Sequence, residues 1–148
     1  MAREARGDAR EPVAVALALE RYVHSAITSK NFSQAFATAA EVAQSREGDC
    51  TEHAVLLAAL ARACNIPSRA AIGLVYVERD GGFGYHMWTE LYVSGQWLPM
   101  DATLGQGGIG AAHIKLADTS LDGAAAYSSL LPVVQVVGQL KISVLSAE

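Results

Sequence analysis

The segment Asp49–Cys64, DCTEHAVLLAALARAC, constrains this chain more than any other. Beyond Asp49 it is apolar almost all round, so a helix made from it has no face for water and must be covered by the rest of the protein. Asp49 is a good N-cap, because its side chain can accept a first-turn N–H. Asn65, Ile66 and Pro67 follow as a stop signal: asparagine tolerates the left-handed conformation that ends helices, and proline cannot readily continue one. The reading is a buried central helix that starts at Cys50 and ends at Asn65.

What covers it is legible on both sides. Upstream, Pro12 opens PVAVALALERYVHSAI, whose apolar positions recur at helical spacing. Asn31 can cap a second, shorter helix, FSQAFATAAEVA, before QSREGD interrupts the pattern as a loop. Downstream of Pro67 the period changes to that of strands: AAIGLVYVE, a turn at RDGGFG, YHMWTELYV, a turn at SG, then QWLPMDA. A glycine-rich loop, LGQGGIGAA, leads to another short strand, HIKLA. The chain then reads as helix from Leu121 to Leu131, and VVQVVGQLKISVL as a final strand. The fold class is therefore α+β, with N-terminal helices and a buried central helix packed on an antiparallel β-sheet.

At 148 residues the chain suits one domain. The opening MAREARGDARE alternates in sign with no apolar stripe, so residues 1–11 read as a charged tail or linker and 12–148 as the domain. A net charge of -4 gives no basic footprint for nucleic acid, and no apolar run is long enough for a membrane span. The opening has no secretory core, while a linker-like start also suits a domain within a larger polypeptide, so the compartment stays open.

Two cysteines occur, Cys50 and Cys64. Fourteen residues apart on one helix, they lie about 21 Å from each other along its axis, too far for a disulfide. Cys50 falls on the first turn, where positive partial charge favours a thiolate, the nucleophilic form. Cys64 sits at the opposite end and reads as inert packing. His86 stands just after a glycine-rich turn, at a strand start, and Asp101 lies fifteen residues further on across one hairpin. Neighbouring strands can place the two side by side.

These residues carry a family resemblance. The blocks GDCTEHAVLLAALARACNIPSRAAIGLVYV, GYHMWTELYV and QWLPMDAT, from about Glu47 to Thr103, resemble in order and spacing the signature of the transglutaminase-like superfamily. The resemblance implies a papain-like core and a Cys50–His86–Asp101 triad acting on a peptide or protein amide through a thioester. Hydrolysis is the leading expectation; transfer to an amine, or a non-catalytic peptide-binding module, are the alternatives. Met87 and Ala102 depart from residues usual in the family, without removing a reacting group. No acidic calcium loop is visible, and no cofactor or metal is expected.

Other positions carry weaker expectations. Gln44, six residues before Cys50, is an oxyanion-hole candidate by similarity to papain-like proteases. Gly48 would let substrate backbone approach the thiol. Trp88 shares a strand face with His86 and is a groove or supporting candidate, Glu90 on that face reads as solvent-exposed, and Trp97 reads as core. A zinc set of Cys50, His53, His86 and Asp101 is the minor alternative, since only one ligand pair is closely spaced. His24 and His113 have no partner suggested by spacing and read as surface or supporting residues.

Overall fold

A computed structural model describes residues 1–29, 37–122, 128, 131–136 and 138–141. In chain order these form α1 (Ala2–Arg6), α2 (Pro12–Ala26), α3 (Ala39–Ser45), α4 (Cys50–Ala63), β1 (Ser68–Val77), a 3-10 turn (Glu78–Asp80), β2 (Gly82–Val93), β3 (Gln96–Met100), β4 (His113–Thr119) and α5 (Leu131–Val136). The four strands make one antiparallel sheet in the order β3-β2-β1-β4. The α+β class and the helix-on-sheet arrangement are as the sequence implies.

The buried helix is α4. Nine of its fourteen residues are buried, Glu52 and His53 among them. It lies against β2 and β1, and α1, α2 and α3 cover its other sides. Leu56, Leu57 and Leu60 pack with Leu19 and Val23 of α2 and Leu91 and Met100 of the sheet; fully burying each leucine contributes roughly 1.5–3 kcal/mol. Two hydroxyls fix the helix on the strands, Ser68 Oγ donating to the Ala58 carbonyl at 2.9 Å and Thr89 Oγ1 to the Ala54 carbonyl at 3.0 Å. The helix stops as its sequence requires: Asn65 is left-handed at φ 61, and the Ile66 N–H returns to the Ala61 carbonyl at 2.9 Å.

Several elements differ from the sequence reading. Residues 2–6 are a helical turn whose Ala5 is buried in the main core, so the charged opening is not a free tail there; one small inward alanine leaves no visible stripe. The helix before the nucleophile loop starts at a Thr38 cap, in a reciprocal box with Glu41, and runs through Gln44 and Ser45. The Thr-x-x-Glu box outcompetes the apolar run as a start signal; Asn31 and residues 32–36 lie outside the described residues. Residues 133–136 are helical rather than strand. Residues 138–141 of that final-strand reading are also not strand; its residues 137 and 142–145, and most of the Leu121–Leu131 helix, lie outside the described residues. No helix among the described residues is long and apolar enough to cross a membrane.

Candidate active site

The site begins with the cap of α4. Asp49 accepts the Thr51 N–H at 2.9 Å, and Glu52 reaches back to accept the Asp49 N–H at 3.0 Å. Glu52 is fully buried, and burial above all pushes its carboxyl up from the usual range. This box fixes the half-buried Cys50 on the first turn. Gly48 is required here for a reason beyond access: its φ is 151, and a Cβ would stand 2.2 Å from the Glu52 Cβ.

His86 is mid-strand rather than at a strand start, the fifth residue of β2, because pairing with β1 already begins at Gly82. β3 pairs only with Thr89–Val93. Beside His86, therefore, the β3 side of β2 is free of a strand, and Asp101, just past Met100, occupies it. His86 Nε2 donates to Asp101 Oδ2 at 2.7 Å. With Nε2 so engaged, Nδ1 is the ring nitrogen left for Cys50, which lines the same groove. Burial disfavours a charged His86, but Asp101 and the neighbouring Cys50 outweigh it and raise its pKa to about 9.

Asp101 is wholly buried and held by four donors. Oδ1 accepts the backbone N–H of Thr103 at 2.9 Å and of Leu104 at 3.2 Å; Oδ2 accepts His86 and, at 3.0 Å, His113 Nε2 from β4. Burial alone would raise its pKa; the two histidines and the Leu104 N–H bring it below the usual carboxylate value. His113 is thus no surface residue: its side chain is 3% exposed. Spacing could not reveal this, since β4 reaches Asp101 only through its pairing with β1.

Glu20 is a second residue missed in the sequence. It is completely buried on α2, and Oε1 accepts the backbone N–H of Asp101 at 3.1 Å and of Gly108 at 3.0 Å. Burial is the main reason its carboxyl is pushed up, and the nearby Asp101 charge adds to it. Its signal was available, a carboxylate on the stripe of Ala16, Leu19 and Val23. On the same helix, His24 Nδ1 lies 3.0 Å from the Ala102 carbonyl.

A groove of about 460 Å³ opens over Cys50 and His86, lined also by Gly48, Asp49, Thr51 and His53, with Val75, Val77, Tyr85 and Leu104 as its apolar wall. Burial, then Cys50 and Asp49, push the Tyr85 phenol up to about 12. Trp88 does not line this groove. It is 1% exposed, stacked 6.4 Å from His86 and edge-on to His113 at 5.3 Å, and so supports the site from beneath. Gln44 is exposed on α3 and is not among the residues that line the groove. Glu90 is buried and paired, with Arg69 at 2.6 Å and Lys115 at 2.7 Å; Trp97 is partly exposed beneath the Arg69 guanidinium, 4.1 Å from its ring centre.

The zinc set is not assembled. His53 Nδ1 instead lies 2.6 Å from the Asp49 carbonyl, and burial holds this imidazole below its ordinary pKa. Among the described residues, the groups whose ligand atoms converge, within 4.8 Å, are His86, Asp101 and His113. The two Nε2 atoms are already hydrogen-bonded to Asp101 Oδ2. The outer nitrogen of His113 has no partner among the described residues, whereas a metal-bound histidine ordinarily donates that N–H to a carboxylate, carbonyl or water.

Comparison with known proteins agrees with the fold. A crystal structure of a candidate cysteine protease from Cytophaga hutchinsonii is similar, with a TM-score of 0.70 and 25% identity, over 84% of this chain and 43% of that one. A second structure, of a TGase, has a TM-score of 0.51 at 15% identity, over 70% of this chain and 28% of that one, and shares the fold. The chain therefore spans less than half the length of either. No curated protein matches it. The model of the transglutaminase-like superfamily matches residues 1–102, which include Cys50, His86 and Asp101, and the chain belongs to that superfamily.

Proposed function

We propose that the protein is a cysteine-dependent amide hydrolase, a peptidase or amidase that works through a thioester. The observation that carries this reading is the buried His86–Asp101 hydrogen bond at one groove wall, with Cys50 and His86 both lining that groove. The superfamily and the likeness to a candidate cysteine protease support it.

In this reading the Cys50 thiolate attacks a substrate carbonyl, and the Cys50 N–H at the start of α4 faces the oxygen on which negative charge develops. His86 carries the proton given to the leaving amine as the C–N bond breaks, which leaves an acyl thioester on Cys50. Water, deprotonated by His86, then releases the acid and restores the thiol. Asp101 holds the imidazole in one orientation throughout. The apolar wall of Val75, Val77 and Leu104 favours an uncharged side chain on the acyl half of the substrate.

The test is to incubate the protein with mixed peptides, with and without a labelled primary amine, and to examine Cys50 and the products by mass spectrometry. An acyl adduct on Cys50 with free acid as product supports hydrolysis, provided that both vanish in Cys50→Ala. Label in the product instead means transfer to amines. Peptide that binds and is released unchanged, with no adduct, means a binding module.

A further inference from the structure

We infer that His113 is a positioning residue of the triad, one that shares Asp101 Oδ2 with His86 and thereby sets how tightly His86 holds its proton. This rests on the proposed Cys50–His86–Asp101 chemistry and adds a residue to it.

Both imidazoles approach the same oxygen through Nε2, His86 at 2.7 Å and His113 at 3.0 Å. A carboxylate only accepts, so both Nε2 atoms carry hydrogen. The His113 ring is fixed for this task. Its side chain is almost fully buried, and it meets the edge of Trp88, which stacks in turn on His86. Its Nδ1 is buried with no partner among the described residues. A buried N–H with no acceptor is costly, whereas a bare ring lone pair costs less, so the Nε2–H tautomer suits the site.

Oδ1 of Asp101 is occupied separately by the Thr103 and Leu104 N–H groups, which hold the carboxylate in place without His113. Removal of His113 therefore leaves Asp101 oriented but returns the whole of Oδ2 to His86. The charge felt by His86 then increases, its proton is held more firmly, and it becomes a poorer acid toward the leaving amine. Around the pair stand Cys50, Asp49 and His53 on α4 and its cap, Glu20 and His24 on α2, and Tyr85 on β2. None of these shares the Oδ2 contact.

The experiment follows alkylation of Cys50 by iodoacetate against pH, in the full chain carrying Cys64→Ser. An anionic reagent reacts best while the thiolate faces an imidazolium, so its rate falls as His86 loses its proton and needs no substrate turnover. His113→Phe keeps the ring against Trp88 and removes the donor; we expect its alkaline limb to move up by about half a pH unit or more. His113→Gln, which can still donate to Oδ2, should stay within about 0.2 unit of wild type. In a turnover assay, kcat should fall several-fold in His113→Phe with little change in KM. A folded His113→Phe whose limb is unmoved, or moves down, overturns this inference alone; a wild type with no alkaline limb overturns the triad reading and this inference with it. If His113→Phe does not fold, histidine NMR of the wild type decides: two protected Nε2–H signals support the shared carboxylate, and a single one refutes it.

Discussion

The Glu20 carboxylate on α2 accepts the backbone N–H of Asp101 at 3.1 Å, joining positions 81 residues apart. The same oxygen takes the Gly108 N–H, so one buried side chain ties the first long helix both to the proposed orienting carboxylate and to the glycine-rich loop after it. Glu20→Ala would strand two N–H groups and should cost about 2–3 kcal/mol in urea unfolding. Glu20→Gln keeps an acceptor. Because burial raises the folded-state pKa of Glu20 above its ordinary value of 4.5, its favourable contribution is complete below that value and lost as pH rises through the folded one. Glu20→Gln should therefore gain stability relative to wild type as pH is raised from 4 toward neutrality; a difference that does not change with pH would contradict this.

For the His86–Asp101 pair the signs are opposed. The raised pKa of His86 gives stability that is complete below 6.5 and lost as pH rises through about 9. The lowered pKa of Asp101 gives stability that is complete above 3.8 and lost as pH falls through its folded value. Asp101→Asn should destabilise most between these limits, by roughly 3 kcal/mol or more, since it breaks a buried pair. It should also bring the alkaline limb down from about 9 toward the ordinary imidazole range, and lower kcat/KM by at least about a hundredfold. Denaturation curves and rate profiles over the same pH series check both.

The two thiols provide an internal comparison. Both are half-buried, but Cys50 begins α4 beside His86, and Cys64 caps its other end with Sγ 3.9 Å from the Ala2 carbonyl. Near neutral pH, Cys50 should alkylate at least about tenfold faster than Cys64. Peptide mapping after brief treatment with iodoacetamide measures the ratio. Equal rates would remove the basis for the nucleophile assignment.

Gly48→Ala tests the loop that delivers Cys50. At φ 151, with the Glu52 Cβ 2.2 Å from where a methyl would be, the substitution should cost about 1–3 kcal/mol from backbone strain alone. It should also slow Cys50 alkylation, because Glu52 closes the capping box and has to move. A variant with wild-type stability and reactivity would show that the loop relaxes freely.

How far the sequence could be read followed the range of the interactions concerned. The helix from Cys50, its Asp49 cap and the stop at Asn65 are local, and all are present. The hairpin that brings Asp101 to His86 is nearly local and was also legible. The partners of His113 and Glu20 were not, since the first depends on strand order and the second on α2 docking against a loop 81 residues away, even though the α2 stripe marks Glu20 as inward. Trp88 had the right face but the wrong depth, since alternation gives the side of a strand and not what covers it. Gln44 lies within α3, which the Thr38 box starts, and is exposed outside the groove lining, a placement its spacing from Cys50 could not reveal.

Among the described residues β4 is an edge of the sheet, bonded to β1 alone and across an irregularity between Ile72 and Gly73. Edge strands open more readily than central ones, and amide hydrogen exchange reports such opening directly. Each fraying of β4 that carries His113 away also releases Asp101 Oδ2 from one of its two imidazoles. Exchange rates at Ile114 and Lys115 therefore gauge how constantly the buried carboxylate is held, at residues outside the groove lining.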